Sequence, residues 1–135
     1  MNIYKRRIVA FVIGKLIGGK EISRVFDRTT SSYNEVAGEV SITSINVYDT
    51  EKNEIITGSG DDKGISLYDF VTAKFIDIKI YGEKFDGFDY ESKKVFYGDM
   101  KENTVSFFDF QDSKHHYYIM LNPYENVTEN LGLLI

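Results

Sequence analysis

The chain has no cysteine, no tryptophan, one proline (Pro123) and two histidines among 135 residues. Without cysteine there is no disulfide framework and no thiolate chemistry, a composition that fits a reducing, cytoplasmic location. With so little proline, strand interiors go unbroken. No apolar run approaches the ~18–20 residues of a membrane-spanning helix, so no membrane partner is expected. The histidines are adjacent, His115-His116. On a strand, neighbours point to opposite faces and cannot easily share one metal ion or act together. They read as structural, with pH sensing as their one functional use.

The usual chemical motifs are missing as well. The glycine- and acid-rich stretch from Gly58 to Gly64 (GSGDDKG) lacks the Gly-Lys-Ser/Thr ending of a phosphate loop and the alternating acids of a calcium loop. Ser59 lacks nucleophile-elbow spacing. The stretch reads as the most open loop of the chain. Asn126-Val127-Thr128 spells a glycosylation sequon by letters only. No catalytic set, cofactor or metal site is expected, and the chain reads as a non-enzyme. A hydrolase built on His115 or His116 is the enzymatic alternative.

What the sequence does have is repetition. From Ile45 to Tyr124, four blocks of twenty residues carry an aromatic–Asp pair in register: Tyr48-Asp49, Tyr68-Asp69, Phe88-Asp89 and Phe108-Asp109. Each block opens with an alternating run such as Ile45-x-Val47, the two-residue period of a half-buried strand. The Asp stands where the strand ends, and its carboxylate can accept a backbone N–H two residues on, starting a turn. After four polar or small residues a charged position (Glu54, Lys74, Lys94, Lys114) leads into a second β-prone run. Each block is thus a hairpin with a short loop. The four Asp residues read as turn initiators; the functional alternative is a ring of carboxylates around a cation.

Earlier blocks follow a longer period. Val25-Phe26-Asp27 lies 22 residues before Val47-Tyr48-Asp49, and Ile3-Tyr4-Lys5 another 22 before that. Lys5-Arg6-Arg7 followed by IVAFVIG imitates a secretory leader, but Lys15 interrupts the apolar run and no cleavage site follows. Ile8 to Ile13 therefore reads as a central strand, apolar on both faces. Residues 29–32 read as a polar loop and residues 35–44 as renewed strand. After Pro123, residues 124–130 read as one or two helical turns. Leu131 to Ile135 reads as a final strand that pairs with the N-terminal segment and closes the sheet.

The expected fold is one all-β domain, residues 1–135. It is built of about six antiparallel hairpins of period 20–22, arranged as a barrel, sandwich or small toroid, with a short C-terminal helical turn. The aromatic layer is expected in the core and the carboxylates in solvent.

Charge suggests the partner. The net charge is −5, yet residues 1–28 carry seven basic side chains against Glu21 and Asp27, so the remainder sums to −10. An acidic body argues against nucleic acid and for a basic protein partner. Acids alternate with aromatics from Tyr81 to Tyr97, and Tyr is an efficient interface residue. The expected interface uses Tyr81, Asp86, Asp89, Tyr90 and Glu91, with Asp61 and Asp62 as rim charges.

The aromatic–Asp, polar turn, Lys, apolar-pair pattern of Ile45 to Tyr118 resembles the short hairpin repeats of bacterial β-flower proteins. That resemblance implies radially arranged hairpins and no particular activity. In size, acidity and lack of a catalytic set, the chain is also similar to small acidic immunity proteins of contact-dependent toxin systems. This implies a cytoplasmic inhibitor that occludes a basic bacterial toxin, plausibly a nuclease. The alternative is a ligand-binding or self-assembling surface repeat protein that uses its aromatics on glycans or on copies of itself.

Overall fold

A computed structural model describes residues 1–19, 21–125 and Val127. Among the described residues, a helix, α1 (Ile3–Gly18), is followed by ten strands. In order these are β1 (Arg24–Asp27), β2 (Ser32–Val40), β3 (Ile45–Asp49), β4 (Glu54–Asp61) and β5 (Gly64–Asp69). They are followed by β6 (Lys74–Tyr81), β7 (Lys84–Asp89), β8 (Lys94–Lys101), β9 (Thr104–Asp109) and β10 (Lys114–Leu121). Each strand pairs antiparallel with its sequence neighbours, and β1 pairs with both β2 and β10, closing a barrel without edges. The barrel is the all-β hairpin architecture expected from the repeat.

The twenty-residue blocks are the hairpins β3–β4, β5–β6, β7–β8 and β9–β10, and Val25-Phe26-Asp27 begins a fifth, β1–β2. Ile3-Tyr4-Lys5 does not begin a sixth, because it lies in the first turns of α1. Closure is made by β10 on β1. The segment 131–135, expected to close the sheet, lies outside the described residues, as does most of the expected helical turn at 124–130.

Ile8 to Ile13 is helix, not strand. Its double-sided apolarity has a different cause: α1 runs inside the barrel and every side chain from Lys5 to Gly14 is buried. Side chains alone fill a barrel of about eight strands, whereas wider barrels hold something more. Here that is a helix. Asn2 caps its start by accepting the Lys5 N–H, and Gly19, at φ 61°, ends it. At about 1.5 Å per residue, α1 spans the barrel's height. It packs on Val47, Ile56, Leu67, Ile76, Phe96, Val105 and Phe107, all fully buried side chains pointing inward.

Gly58 and Gly60 do not form an open loop. They sit within β4, where an added Cβ would come within 2.3 Å of the Ser66 and Gly64 carbonyl oxygens on β5. Their glycine identity serves close strand approach, and the turn itself is only Asp62-Lys63.

Candidate functional site

The barrel has two unlike ends. All five four-residue turns that follow an Asp (β1–β2, β3–β4, β5–β6, β7–β8, β9–β10) lie at the end where α1 begins. There Asp27, Asp49, Asp69, Asp89 and Asp109 form a rim of carboxylates, each almost wholly buried. Alternation explains this placement. Ile45, Val47 and Asp49 share one face of β3, so an Asp two residues after an inward apolar residue also points inward. The aromatic between them points out: Tyr48 is exposed, and Tyr68, Phe88 and Phe108 are half-exposed. The expected arrangement, aromatics in the core and carboxylates in solvent, is therefore inverted at this position.

Each rim Asp uses its two oxygens differently. One oxygen starts the turn: Oδ1 accepts the N–H of Thr29 from Asp27 (2.9 Å), Glu51 from Asp49 (2.8 Å), Val71 from Asp69 (2.9 Å) and Gln111 from Asp109 (3.0 Å). The other faces the basic first turns of α1. Arg7 Nε donates to Asp27 Oδ2 at 3.0 Å, and its far nitrogen reaches Thr30 and Ser32 in the polar turn. Arg6 pairs with Asp109 at 3.3 Å, and the Met1 ammonium reaches Asp109 (2.9 Å) and Gln111. Asp89 gives Oδ1 to Lys5 Nζ at 2.7 Å and spends Oδ2 on Ser92, while Asp69 stands 3.8 Å from the same ammonium. Asp49 faces a neutral partner, Asn34, at 2.9 Å. The helix N-terminus also presents its positive dipole end to this rim.

The ring of carboxylates is thus real, and its cations are the chain's own Lys5, Arg6 and Arg7. Sequence reasoning kept these two halves apart. The signals were the alternation that carries each Asp inward and the unequal charge of residues 1–28 and the remainder. With the five rim aspartates and the three basic residues set aside, the chain's net charge changes from −5 to −3. Much of the acidity that pointed to an external basic partner is therefore satisfied internally.

Three further groups complete the rim. Glu54 occupies the position held by Lys74, Lys94 and Lys114 in the later hairpins, but it is buried, and one of its oxygens has no hydrogen-bond partner. Burial, a bond to Asp69 and the Asp69 charge push its carboxyl up to about 7. Burial also favours the neutral form of Asp89, but the bond and charge of Lys5 outweigh it and hold this carboxyl below its ordinary range. His116 is kept neutral by burial and the adjacent Arg6 charge. Its ring bridges Asp112 (2.7 Å, Nε2) and Arg6 (3.4 Å, Nδ1), so Nε2–H donates to the carboxylate and Nδ1 accepts from the guanidinium. His115, on the opposite face, meets Phe108 edge to face and stacks on Tyr117 outside the barrel. Among the described residues no group of three or more His, Cys, Asp or Glu side chains is placed to hold a metal ion.

The other end has two-residue turns, Asp62-Lys63, Gly82-Glu83 and Glu102-Asn103. Of the interface residues expected from sequence, Asp61, Asp62, Tyr81 and Asp86 gather toward this end and are exposed. Tyr90 and Glu91 are exposed too, but in the β7–β8 turn at the rim end, one strand length away. Asp89 is no surface residue: it is buried against Lys5 and closed to any external partner. The expected cluster is divided because adjacent positions on a strand face opposite sides and the hairpin carries its two ends apart.

A hollow of about 210 Å³ lies beside Asp61 and Asp62, floored by Leu16, Ile42, Ile65 and Ile80. The exposed charges of the described residues are polarised between the ends. Glu21, Glu39, Asp61, Asp62, Glu83 and Glu102 outnumber Lys63, Lys84 and Lys101 at the hollow's end. At the rim end Arg28, Lys52, Lys74, Lys93, Lys94 and Lys114 outnumber Glu51, Glu91 and Asp112. Comparison with protein-family models, curated proteins and solved structures found no match, so function rests on this geometry.

Proposed function

We propose that the protein is a non-enzymatic binding protein that engages a basic protein partner through its acidic end. In its sharpest form it is a cytoplasmic immunity protein that occludes a basic bacterial toxin, such as a nuclease. The observation that carries this reading is the hollow at Asp61 and Asp62. Its apolar floor suits the aliphatic stem of a lysine or arginine, and its two exposed carboxylates suit the charged head. Tyr81 and Asp86 extend the surface along β6 and β7. Desolvation, then a hydrogen bond to Asp86 and the Asp86 charge, raise the Tyr81 hydroxyl above its ordinary range.

The test is co-purification from the source cell, mass spectrometry of the bound protein, and titration of that protein with native chain and with Asp61→Lys plus Asp62→Lys. The variant should weaken binding about tenfold or more, chiefly through the association rate, and salt should do the same. A complex indifferent to both would remove this reading. A second reading, a glycan-binding or self-assembling surface, draws on the open aromatic groove of Tyr97, Phe108 and His115 on β8–β10. Sedimentation of the pure protein as a monomer, together with no glycan binding, would exclude it.

A further inference from the structure

Three consecutive hairpins repeat a feature that the acidic end lacks. In Tyr68-Asp69-Phe70, Phe88-Asp89-Tyr90 and Phe108-Asp109-Phe110 the Asp points inward and the two flanking rings meet edge to face outside. Their centroids are 5.0, 4.8 and 4.8 Å apart, with interplanar angles of 86°, 82° and 78°. The second ring of each pair stands at the start of the turn, braced by the first. Phe70 and Val71 are 57% and 60% exposed, and Phe110 is 42% exposed. Tyr90 leans along the sheet and donates its hydroxyl to Asp77 at 2.9 Å. The same three turns carry exposed Lys74, Lys93, Lys94 and Lys114 against Glu91 and Asp112, and Asp112 is tied to His116. The β1–β2 and β3–β4 turns have Arg28 and Thr50 in place of the second ring.

We propose that this sector of the rim end, the turns β5–β6, β7–β8 and β9–β10, docks on an anionic lipid surface. Phe70, Val71 and Phe110 enter the headgroup boundary while the lysines meet lipid phosphates and carboxylates. Aromatic rings settle at that depth, and lysine stems reach from it to the charged headgroups. Clustered lysines beside a bilayer are drawn to anionic lipid within a Debye length. A flat surface fits because the apolar tips come from parallel turns at one end of a barrel. A nucleic acid fits less well: Val71 offers no face for a base to stack on, and Glu91 and Asp112 interrupt the track that a phosphate backbone would follow. No helix among the described residues is long and apolar enough to cross a membrane, and surface docking needs none.

The full chain is tested by co-sedimentation with vesicles of phosphatidylcholine and phosphatidylserine, against phosphatidylcholine alone and against a single-stranded oligonucleotide. The protein should pellet with the anionic vesicles only. Lys93→Glu with Lys94→Glu, or Phe70→Ser with Val71→Ser, should reduce bound protein about tenfold. Lys63→Glu with Lys101→Glu, at the opposite end, should leave it unchanged. The chain has no tryptophan, so Val71→Trp supplies a single probe whose emission should shift to the blue on anionic vesicles. The proposal is overturned if the native chain stays in the supernatant, if the rim-end variants pellet as well as native, or if the oligonucleotide is the ligand retained.

Discussion

The two ends of the barrel are made by the same strands and solve the problem of charge in opposite ways. At the rim end every odd strand terminates in an inward Asp; four of these carboxylates close on Lys5, Arg6 and Arg7 inside the protein, and Asp49 closes on Asn34. At the other end Asp61 ends β4, Asp62 opens a two-residue turn, and both remain exposed. Asp61 starts its turn as the rim aspartates do, by accepting the Lys63 N–H at 2.8 Å, but its carboxylate stays in solvent, where it is open to recognition. The parity of the strand decides between the two. Within a strand, a carboxylate an even number of residues from an inward apolar side chain, as Asp49 is from Val47, points to the interior before any partner arrives.

The largest effect should come from the inner rim. Lys5→Ala would leave Asp89 and Asp69 buried without their cation and should destabilise the fold by about 3–5 kcal/mol, read as a drop in urea midpoint. The same measurement on Asp61→Ala should move stability by no more than about 0.5 kcal/mol. Equal effects at the two ends would dissolve the distinction.

The helix tests a second layer of the contrast. An added Cβ at Gly14 would fall 2.7 Å from the Met120 sulfur, so Gly14→Val should overpack the barrel by about 1–3 kcal/mol. Were α1 lying outside the barrel, this change would be nearly silent.

Turns at both ends hold residues in the left-handed region. The Asp-led turns place Ser31, Asn53, Ala73, Lys93 and Ser113 at φ between 51° and 59°, and at the opposite end the β8–β9 turn gives that conformation to Glu102 (φ 56°) and the β6–β7 turn gives it to Gly82 (φ 61°). Ala73→Gly should therefore stabilise the chain, by about 1 kcal/mol in thermal or urea unfolding. Gly82→Ala should do the reverse.

A further prediction concerns pH. Glu54 titrates near 7 in the folded protein against an ordinary 4.5, so the folded state holds the extra proton between those values. Its contribution is complete below pH 4.5 and is lost as pH rises through 7. Asp89 works in the other direction: its depressed carboxyl contributes above the ordinary value of 3.8, and this is lost on strong acidification. His116, shifted toward its neutral form, gains stability as pH rises and opposes the Glu54 effect. The Glu54 contribution is therefore read as the difference in urea midpoint between native and Glu54→Gln, which should move against the native chain from pH 5 to pH 8.

The hairpins were legible because their signal is local: a strand of period two, an Asp that begins a turn, and a fixed spacing. Five of the about six expected hairpins follow from that pattern, and the barrel is one of the three arrangements it allowed. The helix was not legible, because Ile8–Ile13 is rich in β-branched residues and apolar on all sides, which a central strand and an enclosed helix share. What distinguishes them is a cavity that exists only after ten strands have closed. Lys5, Arg6 and Arg7 were visible as a basic run and the aspartates as a periodic one. Their meeting is long-range, spanning 84 residues for Lys5 and Asp89. Placing Asp89 on the surface beside Tyr90 followed from treating sequence neighbours as sharing a face.

A double-mutant cycle on Lys5 and Asp89 tests most directly whether the rim holds the helix. Lys5→Met and Asp89→Asn should each destabilise strongly, and the double variant should recover much of the loss, giving a coupling of about 2 kcal/mol or more. Strictly additive losses would mean that the two side chains do not meet, and that the basic helix is not held by the aspartate rim.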